Sequence, residues 1–507
     1  MLDSSLKSPV RSSVAVVYRS WIIWIMVLNS TLGMFFFGYV LSVLNTVQED
    51  LSGYVFNWDP DTETTLISIL NSALTIGAGI GAFVGGSAAQ KYGRRLSMIY
   101  TDLLSIAGMG LTVFANFPLF TLGRIITGFC CGLNSSIVPV YVGEIAPLPI
   151  KGTTGACNQI MFCFGSLIAY LFGFGLPETD TGHTPLQANW WRIMLGFPIL
   201  STLLRTLLLT TAFTYETPRY LVNNGKEEEA RHSLAKIYVG DYATEQLIWL
   251  KREKEEDQNT GSMKYSELWT QKYRKRFLIG CFVSISQQFA GINALIFYST
   301  KIFKDNSDND KNLAVTETTT FAVLHLIATL FSGIVLKRYG RKKILVAGNI
   351  GIMLSILIIS VLSIKSLGHT QFLPIPVFFY IIIYGLTIGP IVYVFSVEIL
   401  PDIGVGIAIL VNWLGAFLVA LLFPPLAEFL TTAVAFGAFG VYTVIALFVI
   451  LIFVKETRGL SQAEINDLYD PPKDTTDDDL SDFQKLLRRR STKAGKSSNY
   501  GINYTSL

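Results

Sequence analysis

The sequence predicts an all-α membrane protein with twelve transmembrane helices arranged as two six-helix bundles. Three observations lead there. About half of the 507 residues are hydrophobic and only 15% are charged, with a mean hydropathy of +0.45. The charges gather in short clusters separating apolar runs of ~20 residues, the helix length that crosses ~30 Å of hydrocarbon. The charged turn "KYGRR" (91–95) returns half a chain later as "RYGRK" (338–342), each copy closing one apolar segment and preceding another. The runs are continuous rather than alternating, which excludes a β-barrel.

In chain order, residues 1–20 are polar and no short apolar region with a cleavage site follows, so they read as a tail and the first run as a retained span. The twelve runs lie at about 21–43, 65–90, 97–115, 119–142, 153–176, 192–214, 277–303, 315–337, 343–364, 375–397, 405–430 and 433–454. The first six make an N-terminal bundle, 21–214, and the last six a C-terminal bundle, 277–454. Between them, 215–276 is rich in Ala, Glu and Lys and predicts short amphipathic helices, either a solvated linker or a latch bracing the bundles. A tail, 455–507, carries "LLRRRSTKAG", which resembles a basic phosphorylation site.

Lys and Arg concentrate in the turns at 91–95 and 337–343, in the linker and in the tail, whereas the opposite loops are acidic or mixed. The basic side is the cytoplasmic one, so both termini are expected in the cytoplasm. Cys130, Cys131, Cys157, Cys163 and Cys281 all fall inside spans, where they read as small packing residues rather than a disulfide framework. Asn29 and Asn134 fit the glycosylation pattern but lie within spans, and Asn503 lies in the tail.

The repeat extends beyond the turns. "GEIAP" (143–147) pairs with "VEILP" (397–401), and "YETPR" (215–219) with "KETRG" (455–459). Three paired signatures in one order indicate six spans duplicated in parallel, the build of an alternating-access carrier with its site between the halves.

These motifs carry a resemblance. With "FFFGYVLSVLN", "GRIITGFCCGLNSSIVPVYVGEIAP", "KGTTGACNQI", "SQQFAGINALIFYST", "NW" (412–413) and the turns above, the chain resembles the sugar porters of the major facilitator superfamily, above all facilitative hexose transporters. The resemblance covers about residues 21–465 and implies the major facilitator fold. It also implies that Gln159, Gln287, Gln288 and Asn293 hydrogen-bond a sugar ring. Sugars are uncharged and rich in hydroxyls, so amides and aromatic faces suit them, and polar groups inside a span mark a pathway. On a continuous helix Gln287 shares a face with Gly291, and Gln288 lies 100° away.

Asn412 and Trp413 match the family's Asn-Trp pair. Tyr393 stands where most facilitators have tryptophan, placed to stack on a pyranose or to pack at a Gly-Pro kink. Gly389 and Pro390 are expected to break the tenth span as a hinge, and Phe297 and Tyr298 stand where the family has outer-gate aromatics. His325 falls where facilitators have a sugar-binding asparagine, and its imidazole can donate and accept one hydrogen bond each.

The charged motifs predict a cytoplasmic gate. Arg94, Arg124, Glu144 and Lys151 are expected to cluster in the first half and Arg341 with Glu398 in the second, joined by Glu216, Arg219, Glu456 and Arg458. The stretch after Glu398 is about four residues short of the family pattern and lacks its usual Arg, so the second cluster is expected to be the weaker. Arg205, deep in the sixth span, is expected to snorkel or to meet a helix end.

Val40 stands where proton-coupled relatives carry an aspartate, and valine holds no proton. The expected function is therefore hexose uniport by alternating access. Proton symport and sugar sensing are the alternatives. No nucleophile–base pair, phosphate loop or metal cluster points to an enzyme, and no cofactor is expected. The expected partners are a small-molecule sugar and membrane lipid, with no nucleic acid; the expected form is a monomer in the plasma membrane.

Overall fold

The computed structural model describes residues 17–177, 185–260, 264–305, 310–364, 370–460 and 462–469. The predicted N-terminal tail up to residue 16, the "LLRRRSTKAG" segment, Asn503 and parts of the acidic loops lie outside the described residues. Helices α1 (Ser20–Asp50), α2 (Pro60–Tyr92), α3 (Arg94–Thr112), α4 (Phe117–Ile145) and α5 (Lys151–Leu171) are the first five crossings. After the short α6 (Pro185–Ala188), the sixth crossing comes in two pieces, α7 (Trp190–Gly196) and α8 (Ile199–Thr211), broken at Pro198. The linker holds α9 (Pro218–Asn223), α10 (Glu227–Ile237) and α11 (Tyr242–Thr260). The seventh crossing is α12 (Gln271–Phe289) plus α13 (Ile292–Lys304), the eighth α14 (Lys311–Arg338) and the ninth α15 (Arg341–Leu362). The tenth is α16 (Pro374–Leu386) plus α17 (Ile388–Ile399), followed by α18 (Asp402–Phe429), α19 (Thr432–Phe453) and α20 (Gln462–Tyr469).

Among the described residues, eleven helices are long and apolar enough to span a membrane by composition. The third crossing, α3, falls short because Arg94, Arg95, Thr101, Asp102 and Ser105 dilute its hydropathy. Four of the even-numbered crossings start on a side-chain cap: Asp59 accepts from Asp61 N, Asn116 from Leu119 N, Asp310 from Leu313 N and Thr431 from Val434 N. Each cap satisfies a backbone donor that the first turn leaves open.

The outer faces are apolar and exposed. Leu200, Leu203, Leu204 and Leu207 on α8, and Ile327, Leu330, Phe331 and Ile334 on α14, repeat at i, i+3, i+4 and i+7. In water such stripes would be a liability; against lipid chains they are the expected surface. Two symmetric pairs join the halves, α2 with α18 and α5 with α14, and α1 also lies against α13. In crossing numbers the symmetric pairs are 2 with 11 and 5 with 8, so replacing each crossing by its counterpart in the other half turns one pair into the other, as a parallel duplication requires.

The linker docks on the first half. Backbone bonds from Arg19 N to Ile237 O (2.9 Å) and Val239 N to Val17 O (3.0 Å) tie it to the start of α1. Within the linker itself, Ser233 Oγ donates to Glu216 O at 3.0 Å.

Two breaks depart from expectation. The seventh crossing is interrupted at Gly291, whose φ of +89° is the left-handed region that glycine occupies freely. The tenth breaks at Thr387, two residues before the expected Gly389, leaving Gly389 and Pro390 in the first turn of α17. Proline is well tolerated there because that turn's N–H groups lack helical partners anyway.

Candidate functional site

The breaks place four amides in one chain of hydrogen bonds. Asn293 Nδ2 donates to Gln288 Oε1 (2.7 Å), and Gln288 Nε2 donates to Asn412 Oδ1 (2.8 Å). Asn412 Nδ2 in turn donates to Gln287 Oε1 (2.8 Å) and Ser284 O (2.7 Å). Gln287 Nε2 ends the chain on Gly389 O at 2.9 Å, with a longer reach of 3.4 Å to Ile388 O. All four amides are buried. Gln287 and Gln288 keep their 100° separation within α12, and Asn412 bridges both; only past the break at Gly291 does continuous-helix spacing fail, bringing Asn293 back onto Gln288. The acceptors at the far end are the first carbonyls of α17, next to the break at Thr387.

Around this chain sit aromatic groups. Trp413 is buried and packs on Phe37 of α1 across the halves, with ring centroids 5.6 Å apart. His325 is buried, its Nε2 has no hydrogen-bond partner, and its ring meets Tyr384 edge-on at 6.0 Å. Tyr393 is 45% exposed on α17 yet within electrostatic reach of Tyr384. Tyr384 also lies close to Gln287 and Cys163, a central position that the sequence reading missed; its spacing of four from Tyr380, whose ring it stacks at 6.0 Å, is the signal. Gln159, half-buried on α5, makes only a 3.8 Å contact to Cys163 Sγ and does not join the amide chain. Cys163 in turn meets Thr329 of α14 at 3.4 Å, linking the halves beside His325. Phe297 and Tyr298 are buried, and Tyr298 Oη donates to Ala420 O at 2.9 Å.

At the charged turns, each residue of the repeat does the same work twice. Arg94 Nη2 reaches Glu144 at 2.8 Å, and Arg341 Nη2 reaches Glu398 at 2.7 Å. Glu216 accepts from Arg94 N (3.0 Å) and Leu96 N (3.1 Å), while Glu456 accepts from Arg341 N (2.7 Å). Each carboxylate therefore caps the helix that starts after its turn. Any Cβ on Gly93 or Gly340 would run into that carboxylate, which is why both turns read Gly-basic. Arg95 Nε caps the end of α8 on Leu209 O (2.8 Å), and Lys342 Nζ caps the end of α19 on Leu451 O (2.8 Å).

Two gate expectations are corrected. Arg124 is not at this end: it lies 20 residues from Glu144 along α4, ~30 Å at helical rise. It is buried there, with Nη1 on Val40 O (3.0 Å), Nε on Leu70 O (3.4 Å) and Nη2 unpartnered. Arg219 pairs with Glu253 of the linker (3.0 Å), and Lys151, at the start of α5, is exposed with its side chain next to Gly143 of α4. Nor is the second cluster the weaker. Glu398 also accepts from Arg341 Nε (2.9 Å) and Thr457 Oγ1 (2.5 Å), whereas Glu144 Oε2 and Thr217 Oγ1 have no partner. Arg458 donates to Lys337 O and Arg338 O, capping α14.

Side-chain bonds between the halves appear at the opposite end. Asn45 Nδ2 donates to Ser299 Oγ (2.7 Å) and its Oδ1 accepts from Thr300 N (3.1 Å). Lys304 pairs with Glu49 (2.7 Å) and Lys311 with Asp50 (3.0 Å). Within the first half, Arg205 neither snorkels nor meets a helix end. Its guanidinium pairs with Asp102 of α3 and donates to Asn134 Oδ1 (2.8 Å), and Thr206 Oγ1 donates to Asp102 Oδ2 (2.9 Å). A Cβ at Gly33 of α1 would strike this guanidinium.

Comparison with known proteins accords with this geometry. The family model described as "Sugar (and other) transporter" matches residues 25–469. The glucose transporter GlcP of Staphylococcus epidermidis is 31% identical over 80% of this chain and 89% of its own. Hexose transporter 1 of Plasmodium vivax is 30% identical over 85% and 90%. Facilitated glucose transporter member 3 of Ovis aries is 32% identical over 86% and 90%. Among solved structures, the proton:xylose symporter XylE bound to 6-bromo-6-deoxy-D-glucose superposes with a TM-score of 0.75 at 26% identity, covering 89% of this chain and all of that one.

Proposed function

The chain belongs to the sugar transporter family, an integral membrane family of carriers, and on that premise we propose facilitated transport of a glucose-like hexose by alternating access. The observation that carries this reading is the uncharged amide chain Asn293–Gln288–Asn412–Gln287, buried at the break points of two crossings. Amides bonded to one another present matched donors and acceptors, and a pyranose can exchange these bonds for its own hydroxyls. His325, Gln159, Tyr393 and Trp413 complete the sugar contacts. Phe297 and Tyr298 form the outer gate, and the turns with Glu144 and Glu398 the inner one.

The charged turns and both termini face the cytoplasm, the plasma membrane is the site, and the monomer is the working unit. Six crossings on each side of the 215–276 linker move as the two rocking bodies. The end where Asn45, Lys304 and Lys311 join the halves is then extracellular, and the described conformation is closed to the outside.

Proton symport is the second reading, favoured by the likeness to a proton:xylose symporter. Against it, Arg124 turns to the backbone carbonyl of Val40, where no side-chain carboxylate stands. Counterflow of labelled glucose in proteoliposomes, with and without a pH gradient, tests the proposal. Exchange that ignores the gradient and stops at equal concentrations supports uniport; no glucose counterflow at all sinks it.

A further inference from the structure

Behind the amide chain, inside the second half, lies a small pocket of about 10 Å³ between α12, α15, α17 and α19. Its lining includes Ser286, Gln287, Leu345, Asn349, Ile352 and Ile388. Asn349 is the odd member: it sits on α15, 5% exposed, and its Oδ1 has no hydrogen-bond partner. No sequence motif singles it out. An amide held among leucine and isoleucine side chains is costly unless its oxygen is satisfied.

We propose that Asn349 is a positioning residue for the sugar site, acting on Gln287 through one water held in this pocket. The inference rests on the proposed role of Gln287 in sugar binding. The volume matches a single water, which needs two to four polar partners. Gln287 supplies one. Its Nε2 has two hydrogens: one makes the 2.9 Å bond to Gly389 O, and the other only reaches Ile388 O at 3.4 Å. The water accepts from that weakly used N–H and donates to Asn349 Oδ1. Ser286 Oγ, already bonded to Phe282 O (2.7 Å) and Tyr442 Oη (2.9 Å), borders the same space.

The bridge fixes the amide of Gln287. With Nε2 held towards the pocket and α17, Oε1 must face Asn412 Nδ2, and that orientation sets Asn412, Gln288 and Asn293 in turn. A residue one helix behind the sugar thus decides which way four amides point.

The test is equilibrium binding of radiolabelled D-glucose to purified full-length protein, with thermal melting measured alongside. Asn349→Leu removes the acceptor and fills the pocket; Kd is expected to rise about three- to tenfold with melting held or raised. Asn349→Ala is expected to show the same loss should the leucine variant not fold. Asn349→Ser, which returns an acceptor, is expected to bind within about twofold of the parent. Leu345→Ala alters the same wall without touching a polar group, and is expected to lower melting while keeping Kd. Parent-like binding by Asn349→Leu, with binding lost in Gln287→Ala, overturns the inference and leaves the site reading standing. An equal loss of affinity in Leu345→Ala also overturns it, as generic packing. Parent-like binding by Gln287→Ala itself removes the site reading.

Discussion

Loss of the lysines that join the halves should open the end they close. Lys304–Glu49 is about three-quarters buried on each side chain, at 25% and 25% exposure, and Lys311–Asp50 is deeper, at 17% and 12%. Lys311 also donates to Pro177 O at 2.9 Å. Partly exposed pairs of this kind are screened by solvent and are worth about 0.5–1 kcal/mol each. Lys304→Gln or Lys311→Gln should therefore shift the closed-to-open ratio about two- to fivefold, and the double variant about tenfold. Ser68 reports the shift, because it is buried on α2 near Tyr298 of α13. With the five native cysteines replaced, Ser68→Cys is labelled by a membrane-impermeant maleimide added from the side that the proposed orientation makes extracellular. Labelling should speed up by those factors. Exchanging the charges, Glu49→Lys with Lys304→Glu, should bring it back towards the parent rate. High salt should narrow the gap, since screening already weakens the parent's pairs. Parent-like labelling in the double lysine variant would refute the latch.

Asp102→Asn should leave Arg205 buried without its counter-charge and destabilise the detergent-purified protein by about 3–5 kcal/mol. The apolar pair Asp102→Leu with Arg205→Met should recover most of that in thermal melting, and a neutral single variant would contradict the burial. Glu398→Gln should lower melting more than Glu144→Gln, because Glu398 holds Arg341 through two nitrogens and also Thr457; equal losses would count against that asymmetry. Gln287→Ala should weaken glucose binding by about 1–3 kcal/mol through unpaired hydroxyls, read as a rise in Kd. Val40→Asp should fold, since Arg124 already reaches the Val40 backbone at 3.0 Å, yet slow exchange without driving accumulation. Uphill uptake by the parent under a pH step would overturn uniport.

What the sequence disclosed was local. The duplicated turns were legible because each residue acts on a neighbouring chain end: a glycine admits a carboxylate, one arginine meets a glutamate and the next basic residue caps a helix. The amides were legible as a group because polar side chains are rare in apolar spans. Their connectivity was not, because helical spacing presumes an unbroken helix and the seventh and tenth crossings break at Gly291 and Thr387. Asp102 and Arg205 stand 103 positions apart with no shared periodicity, so only the packing of α3 on α8 reveals the pair. Arg124 was misplaced because its motif neighbours on α4 suggested the charged end, while it stands near the start of that helix.

The two proposed gates also differ in what they can do. A lock biases alternating access only if its bonds cross the surface that moves. The Asn45, Lys304 and Lys311 contacts do cross it. The Arg94–Glu144 and Arg341–Glu398 pairs each stay within one half, so in this conformation they stiffen the ends of the bundles without joining them. The halves are not equivalent in this respect. In the second, both Glu398 oxygens are engaged by Arg341 and Thr457. In the first, Arg94 Nε, Glu144 Oε2 and Thr217 Oγ1 are buried without partners, although Thr217 stands where Thr457 stands in the repeat. Unmet donors and acceptors beside a charged pair are costly, and they ease only when a new partner arrives. On the proposed alternating access, the first-half turn is therefore the one with buried donors and acceptors left to gain bonds when this end closes.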